Sequence, residues 1–182
     1  MKTCRPLLSV EISIHLVFQA ILINKIMKKL PYLILFFVVN FVALGIGRMI
    51  SANDVTGSWY MGLEKAPWTP PGWFFGFAWT TIMILFSVFM TELVLKKEKF
   101  DKQLIMLFSL QWVINVGWNY IFFEKHLVTA GLITITILLL LIIWFAKEGF
   151  RSLEGFYPYF ILPYAIWLAV ATSLNAFILI YN

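Results

Sequence analysis

Long apolar runs separated by short polar stretches dominate the chain, and five of these runs have the length of a membrane-spanning helix. A helix rises about 1.5 Å per residue, so roughly 20 apolar residues cross a hydrocarbon layer about 30 Å thick. The runs are continuous rather than alternating, and backbone groups in lipid must be satisfied within their own segment, so the pattern predicts helices and not a barrel. The predicted spans are Leu30–Ile50, Gly72–Leu95, Leu104–Phe123, Leu127–Ala146 and Phe156–Tyr181. The expected fold class is therefore an all-α integral membrane protein, a bundle of five transmembrane helices in residues 30–182.

Short polar links join most of the predicted spans. They are Lys96–Gln103, Glu124–His126 and Lys147–Gly155. Links this short make sequential helices antiparallel neighbours. The segment Ser51–Pro71 alone is long enough to fold over one mouth of the bundle.

Residues 1–29 form an extension ahead of the first predicted span. Pro6–Ile23 is fairly apolar, but Glu11, His15 and Gln19 recur every four residues as one polar stripe. This stripe favours an amphipathic helix on the membrane surface over a sixth span, and the extension is expected to be amphipathic or disordered. The stretch Met27-Lys-Lys-Leu-Pro is typical of a natural start, so we expect residues 1–26 to be dispensable.

The composition excludes a soluble domain and several kinds of site. The chain is 62% hydrophobic and 13% charged, with a mean hydropathy of +0.88, whereas a soluble domain has about 25% charged residues. The single cysteine, Cys4, cannot form an internal disulfide, and no Cys/His cluster has metal-ligand spacing, so we expect no metal site and no required cofactor. The net charge of +5 lies in short basic stretches beside apolar segments. That distribution sets membrane orientation and does not indicate nucleic acid.

Basic residues predict the orientation of the bundle. With five spans, Arg48, Lys65 and Lys125 fall on one side of the membrane. Nine basic residues fall on the other side: Lys25, Lys28, Lys29, Lys96, Lys97, Lys99, Lys102, Lys147 and Arg151. The side richer in Lys and Arg is normally cytoplasmic. We therefore expect a cytoplasmic N-terminus, in a bacterial cell membrane given the lysine-rich loops.

The run Trp68–Trp79 carries three tryptophans and three phenylalanines where a loop turns into an apolar helix. Pro70 and Pro71 suit the first turn of that helix, where an amide hydrogen has no intrahelical partner. Large flat rings at such a place suit a membrane-interface belt or the wall of a pocket for a flat apolar ligand.

The third span carries carboxamides inside the membrane. Gln111, Asn115, Trp118 and Phe122 follow i, i+4, i+7, i+11 spacing and so share one helix face. Two amides in a membrane helix are costly unless they find partners. Hydrogen bonding between helices and a ligand-facing role both fit, and both hold if the amides line a central cavity.

Two further helix faces extend the picture. The second span offers Phe75, Trp79, Met83 and Phe86, and the fifth offers Trp167, Ala171, Leu174 and Asn175. Each face alone is typical of ordinary packing. Together they describe an indole-rich interior with a few amides and room beside Ala171, which fits an apolar cavity with orienting polar groups. The aliphatic fourth span is expected to be lipid-facing or structural.

No conventional catalytic set is visible, since His15 and His126 lie outside the spans. Small residues recur at Ala43, Gly47 and Ser51, which permits close helix packing and, through it, a homodimer.

These residues resemble the TspO/MBR family, the tryptophan-rich sensory proteins related to the mitochondrial translocator protein (peripheral benzodiazepine receptor). The likeness covers about residues 30–181. The residues that carry it are Trp59-Tyr60 with Leu63 and Lys65, Trp68-Thr-Pro-Pro71 with Trp79, Gln111, Asn115 and Trp118 with Phe122-Phe123, and the run from Pro163 to Asn175.

The resemblance implies a five-helix bundle, often dimeric, with a ligand pocket under the first loop. It implies a membrane receptor or sensor that binds porphyrins such as protoporphyrin IX, and isoquinoline carboxamide drugs. By position, the pocket residues would be Tyr60, Trp79, Gln111, Asn115, Trp118, Trp167, Ala171 and Leu174. Three alternatives stay open: light- and oxygen-dependent porphyrin degradation using Trp79 and Trp167, tetrapyrrole transport, and a structural protein with an incidental cavity.

Two departures from the family pattern stand out. The usual Lys-Pro-x-Trp of the loop reads Lys65-Ala66-Pro67-Trp68, which predicts a different turn. No basic residue follows the aromatic Tyr181, so the cholesterol motif of animal members is not expected here.

Overall fold

The computed structural model describes residues 5–97 and 101–182, with side chains from residue 15 onward, so Cys4, Glu11 and Lys99 lie outside the described side chains. The described helices are α1 (Arg5–Ser51), α2 (Ser58–Gly62), α3 (Gly72–Lys96), α4 (Lys102–Asn119), α5 (Val128–Ser152) and α6 (Leu162–Tyr181). A π-helical turn, Tyr120–Glu124, extends α4, and a 3-10 turn, Tyr157–Ile161, precedes α6. Every helix but α2 is long and apolar enough to span a membrane. The predicted all-α bundle of five transmembrane helices is confirmed.

The first helix is much longer than the predicted span. α1 has 47 residues and passes through Pro31 without ending at residue 30; at 1.5 Å per residue it is about 70 Å long. Proline removes one backbone hydrogen bond, yet the neighbouring residues 25–30 are ordinary helix formers without glycine. Residues 5–29 are helical and continuous with the first span; the predicted amphipathic or disordered character of the extension stays a prediction. Residues 15–28 are exposed along their whole length, so this part of α1 projects beyond the packed bundle.

The predicted link between the fourth and fifth spans is mostly helical. α5 continues to Ser152, six residues past the predicted end at Ala146. Lys147, Glu148 and Arg151 favour helix, and Gly149 is accommodated because it packs directly on Phe89: a Cβ added there would lie 2.4 Å from the ring. The chain turns at Gly155, where φ is +65°.

The core of the bundle lies around α3. Phe86, Phe89 and Leu93 of α3 are fully buried, and α3 packs against α1, α5, α6 and the 3-10 turn. α5 pairs with α6 and buries one face only, at spacings of three and four residues. Its predicted structural role is consistent with this one-sided burial.

Polar side chains join α1 to its neighbours inside the bundle. The Asn40 side chain donates to Ser87 Oγ at 2.9 Å, and both residues are buried. The Trp112 indole N–H donates to the Val39 carbonyl at 3.0 Å. Each bond satisfies a polar group that would otherwise face hydrocarbon.

The small-residue ladder on α1 is used within the chain. Ala43 and Ser51 are buried, and a Cβ added at Gly47 would lie 2.8 Å from Asn119 Nδ2 of α4. The ladder therefore lets α1 approach α4 within one chain, and the homodimer stays a prediction.

The two ends of the bundle differ in charge as the sequence predicts. Lys25, Lys28, Lys29 and Lys96 border one basin, which places the N-terminal flank of the first span beside the end of α3. At the opposite end, His126 contacts Asp54 of the first long loop. Sequential spans are thus antiparallel.

Candidate functional site

A cavity of about 390 Å³ lies beneath residues 52–71, the segment called the lid below. Its walls come from α1, α3, α4 with its π turn, and α6; no residue of α5 lines it. The volume falls within the range of small-molecule sites, roughly 300–1,000 Å³. The structure therefore places a ligand-sized space where the aromatic run and the amide face meet.

Seven of the eight predicted pocket residues line this cavity. They are Tyr60, Trp79, Asn115, Trp118, Trp167, Ala171 and Leu174. They come from four separate segments of the chain, and the helical periodicity of each segment directs them inward. Their role in ligand binding stays a prediction.

Gln111 does not line the cavity, contrary to the sequence-based expectation. Its side chain is buried beneath the floor and donates from Nε2 to Tyr164 Oη at 2.8 Å. Tyr164 in turn meets the edge of Trp79, with ring centroids 5.9 Å apart. Gln111 shares the face of Asn115 but lies one turn away from it, where Tyr164 accepts from Nε2, while Oε1 has no hydrogen-bond partner among the described residues.

Trp167 lines the cavity and carries a buried indole N–H. It is 6% exposed, and its indole N–H has no hydrogen-bond partner among the described residues. The rings of Phe75 and Phe74, at centroid distances of 5.3 and 5.7 Å, hold its plane. Buried donors are nearly always satisfied, so this N–H is an exception among the described residues.

A second indole is held by the amide network of α4 and α6. Trp118 stacks on Phe122 with centroids 5.3 Å apart and planes 10° apart, and its N–H points to Asn175 Oδ1 at 3.4 Å. The Asn175 amide donates to the Val128 carbonyl at 3.3 Å. The chain of contacts fixes Trp118 against the start of α5.

The π-helical turn at the end of α4 builds the upper wall. The Lys125 N–H donates to the Tyr120 carbonyl at 3.0 Å, an i→i+5 bond in place of the usual i→i+4. Phe122 and Phe123 lie within this turn, and both are buried and line the cavity. Such wide turns recur at functional sites.

The short helix α2 contributes Tyr60 and Met61 of the lid to the lining of the cavity. Tyr60 meets Phe123 edge-on at 5.4 Å, and Lys65 Nζ lies 4.7 Å from the Tyr60 ring centroid. Burial raises the pKa of the Tyr60 hydroxyl, because the charged phenolate is disfavoured away from water. Tyr60 is therefore a neutral phenol that can donate a hydrogen bond.

Side-chain contacts fasten the lid to α6. The Trp68 indole N–H donates to Ser173 Oγ at 3.1 Å. The Asn182 side chain accepts from the Glu64 N–H at 2.8 Å and donates to the Glu64 carbonyl at 3.2 Å. The lid is thus held at two points, one within α6 and one at the residue that follows it.

The altered Lys65–Trp68 stretch forms a tight turn over residues 66–69. The Thr69 N–H and hydroxyl both donate to the Ala66 carbonyl, at 2.9 and 2.7 Å, and Ala66 is buried. With proline displaced by one position, a small side chain occupies the buried corner.

The loop between α4 and α5 also contacts the lid, through His126. The His126 ring stacks on Trp59 with centroids 4.0 Å apart, and its Nε2 lies 3.6 Å from Asp54 Oδ1. His126 adopts φ 55°, the left-handed region. That unusual backbone places the imidazole under the lid.

The charges around the cavity are of one sign. Among the described residues that line it, Arg48 and Lys65 are basic, and none is Asp, Glu, His or Cys. Positive charge at the mouth of an apolar space attracts anions. No cluster of three metal-ligating side chains occurs among the described residues.

Sequence reasoning missed several lining residues outside the predicted pocket set. Asn119 lies one helical turn beyond Asn115, and extending the i, i+4 spacing by one step would have found it. Asn175 also lines the cavity, and the sequence places it on the same face of the fifth span as Ala171. Phe123 had no such signal, because it reaches the wall through the π turn.

Comparison with known proteins gives a consistent result. The family model "TspO/MBR family" matches residues 32–181. Protein CrtK of Rhodobacter capsulatus is 32% identical over 143 residues, which cover 76% of this chain and 88% of that protein. Tryptophan-rich protein TspO of Archaeoglobus fulgidus is 31% identical, over 75% of this chain and 87% of its own. The human Translocator protein is 28% identical, over 74% and 82% respectively.

Proposed function

The chain belongs to the TspO/MBR family, and on that basis we propose that it is a membrane receptor or sensor whose cavity binds porphyrins. The ligand class is protoporphyrin IX-like tetrapyrroles, with isoquinoline carboxamide drugs as a second class. Family membership supports the membrane sensor or translocator role, and the chemistry of the cavity supports the ligand.

The observation that carries the proposal is the combination of indole walls with a purely basic mouth. Trp79, Trp118 and Trp167 line one cavity, and Arg48 and Lys65 stand at it without an acidic residue among the described lining side chains. A free-base porphyrin is flat and apolar with carboxylates at one edge. Indole faces suit its plane, and guanidinium and ammonium groups suit its carboxylates.

The choice of free-base porphyrin over haem follows from the lining residues. Haem iron is usually held by His, Cys, Met or Tyr, and the lining includes no His or Cys among the described residues. Its Met61 is 63% exposed on the lid, and the raised pKa of Tyr60 disfavours the phenolate that would bind iron. The test is to titrate the purified protein in the dark with protoporphyrin IX or with haem and to monitor binding by the quenching of tryptophan fluorescence. Protoporphyrin IX should bind at least as tightly as haem; a markedly tighter affinity for haem would contradict the proposal.

A second candidate function is degradation of bound porphyrin in light and oxygen. The observation that favours it is the position of Trp79 and Trp167, both in the cavity wall, where they would adjoin an excited ligand. Illumination of the complex in air separates the two functions. Bleaching that Trp79→Phe or Trp167→Phe abolishes favours degradation, and unaltered ligand favours a receptor.

For orientation, we propose that the lysine-rich end of the bundle faces the cytoplasm of a bacterial cell. The supporting observation is that Lys25, Lys28, Lys29 and Lys96 meet at one end, as the positive-inside rule requires of a cytoplasmic face. Fusion of a fluorescent protein or of alkaline phosphatase after Asn182 tests this. Phosphatase activity without fluorescence is expected, and the reverse would overturn the orientation.

A further inference from the structure

A second concave surface lies at the opposite end of the bundle from the cavity. It encloses about 370 Å³ between α1, the end of α3 and the connection from α5 to α6, and we refer to it as the basin. It is lined by Lys25, Lys28, Lys29, Glu92, Leu95, Lys96, Leu153, Glu154 and Tyr157. It shares no residue with the porphyrin cavity.

Among the described residues, the charges of the basin leave two lysines, Lys25 and Lys28, without an acidic partner. Lys29 Nζ lies 2.5 Å from Glu92, and Lys96 Nζ lies 2.8 Å from Glu154. The Lys96 ammonium lowers the pKa of the Glu154 carboxyl, so this pair is ionised and neutral as a unit. Both acidic side chains of the basin are thus engaged by other lysines.

The two remaining cations stand on one face of α1. Lys25 and Lys28 are three residues apart and so lie side by side. Both belong to the exposed part of α1 that projects past the bundle. The described residues of the basin therefore carry a net positive charge of two, from four lysines and two glutamates.

Apolar surface surrounds these cations. Leu95, Leu153 and Tyr157 form the apolar lining of the basin. One turn away on α1, Leu22 and Ile26 are 47% and 53% exposed. The basin thus combines a paired positive charge with exposed hydrocarbon at the end of the membrane spans.

We propose that the basin binds the phosphate headgroup of an anionic phospholipid. Lys25 and Lys28 would contact the phosphate, and the acyl chains would lie along the apolar face of α1 and against Leu95. Basic pockets between transmembrane helices favour anionic lipid headgroups. The apolar lining and the position beside the spans favour a lipid over a free phosphate ion, which shares the anionic group but has no hydrocarbon to bury.

The test is native mass spectrometry of the full chain in detergent, titrated with phosphatidylglycerol, phosphatidylcholine or inorganic phosphate. Lys25→Gln combined with Lys28→Gln removes the unpaired cations. Lys102→Gln combined with Lys147→Gln removes the same charge from exposed positions at the same end, outside the basin. Because each basic residue near an anionic headgroup contributes roughly fivefold, the first pair should weaken phosphatidylglycerol binding by about thirtyfold.

The control pair should change phosphatidylglycerol binding by less than about fivefold, the effect of one lysine near a headgroup. Equal affinity for phosphatidylcholine, an equal loss in the control pair, or displacement of the lipid by millimolar phosphate would each overturn the proposal. Because the basin and the cavity share no residue, protoporphyrin titration of the same variants reports on the cavity separately. If these variants fail to bind protoporphyrin, the lipid-binding result can still be interpreted.

Discussion

The indole N–H of Trp68 donates to the hydroxyl of Ser173, 105 residues later in the chain, at 3.1 Å. The same hydroxyl donates to the Val170 carbonyl at 2.7 Å, so Ser173 acts as donor and acceptor at once. Trp68 also meets Phe177 edge-on at 5.6 Å. One side chain of the lid is thus tied to α6 by a hydrogen bond and a ring contact together.

Replacing Trp68 by Phe should loosen the lid without removing its ring contact. A lost hydrogen bond of this kind is worth roughly 0.5–1.5 kcal/mol, so porphyrin should dissociate about two- to tenfold faster. Stopped-flow measurement of porphyrin release gives the dissociation rate constant.

Ser173→Ala removes the acceptor of the same hydrogen bond and should speed porphyrin release by the same factor. The double variant should release porphyrin no faster than either single variant. Trp73→Phe serves as the control, because Trp73 is 71% exposed and does not line the cavity. Additive effects of the two single changes would show that the bond does not hold the lid.

Ala171→Phe should weaken protoporphyrin binding by filling the cavity. Ala171 is 9% exposed and lines the wall from α6, and an added ring would occupy ligand space or displace Trp167 in a packed interior. We expect a loss of at least about tenfold in affinity, a difference of 1.4 kcal/mol, measured by fluorescence titration.

Ala169→Phe makes the same change on the outward face of α6, where Ala169 is exposed. It should leave affinity unchanged. If the two variants bind porphyrin equally well, the ligand does not occupy this cavity.

Arg48→Gln with Lys65→Gln should weaken binding only of ligands that carry carboxylates. Hydrogen bonds to charged groups contribute about 1.5–3 kcal/mol, so protoporphyrin affinity should fall about tenfold or more. The dimethyl ester of the same porphyrin retains the plane and lacks the charge, and its affinity should stay constant. A parallel loss for both ligands would assign the effect to a disturbed fold.

Gly149→Ala should destabilise the bundle although alanine favours helix. The added Cβ would lie 2.4 Å from Phe89 Cε2, a ring that is fully buried, and overpacking of this kind costs about 1–3 kcal/mol. Thermal unfolding in detergent should show a lower midpoint. Gly45→Ala is the matched control, since no atom lies within 4 Å of the added Cβ, and it should be neutral or stabilising.

The number and class of the membrane helices could be predicted from the sequence, because each span is one continuous apolar run. The inward faces of α3 and α6 could also be predicted. Trp79 on α3 and Trp167 on α6 each share one helix face with small or apolar residues at helical spacing. Gln111 shows the limit of this reasoning. Periodicity gives the direction of a side chain around a helix and not its depth, and the partner that removes Gln111 from the cavity, Tyr164, is 53 residues away.

The ends of helices and the closure of the lid could not be predicted in this way. α1 continues through Pro31 because no other signal near it stops a helix. The contacts of the lid, Glu64 with Asn182 and Trp59 with His126, join segments far apart in sequence. No local pattern encodes such pairs, since they depend on which helix ends come together.

The π-helical turn at 120–124 makes the shape of the site sensitive to chain length as well as to composition. This turn holds one residue more than an α-helical turn, and Phe123 is positioned by that surplus. Deleting Ile121 would remove the surplus residue and let an ordinary α-helical turn form, so the residues after it would keep their direction around the helix axis while the wide turn itself would be lost. The residue types would be almost unchanged, yet Phe123 would lose the position that the wide turn gives it, so spacing here carries information that a comparison of residue types alone does not register.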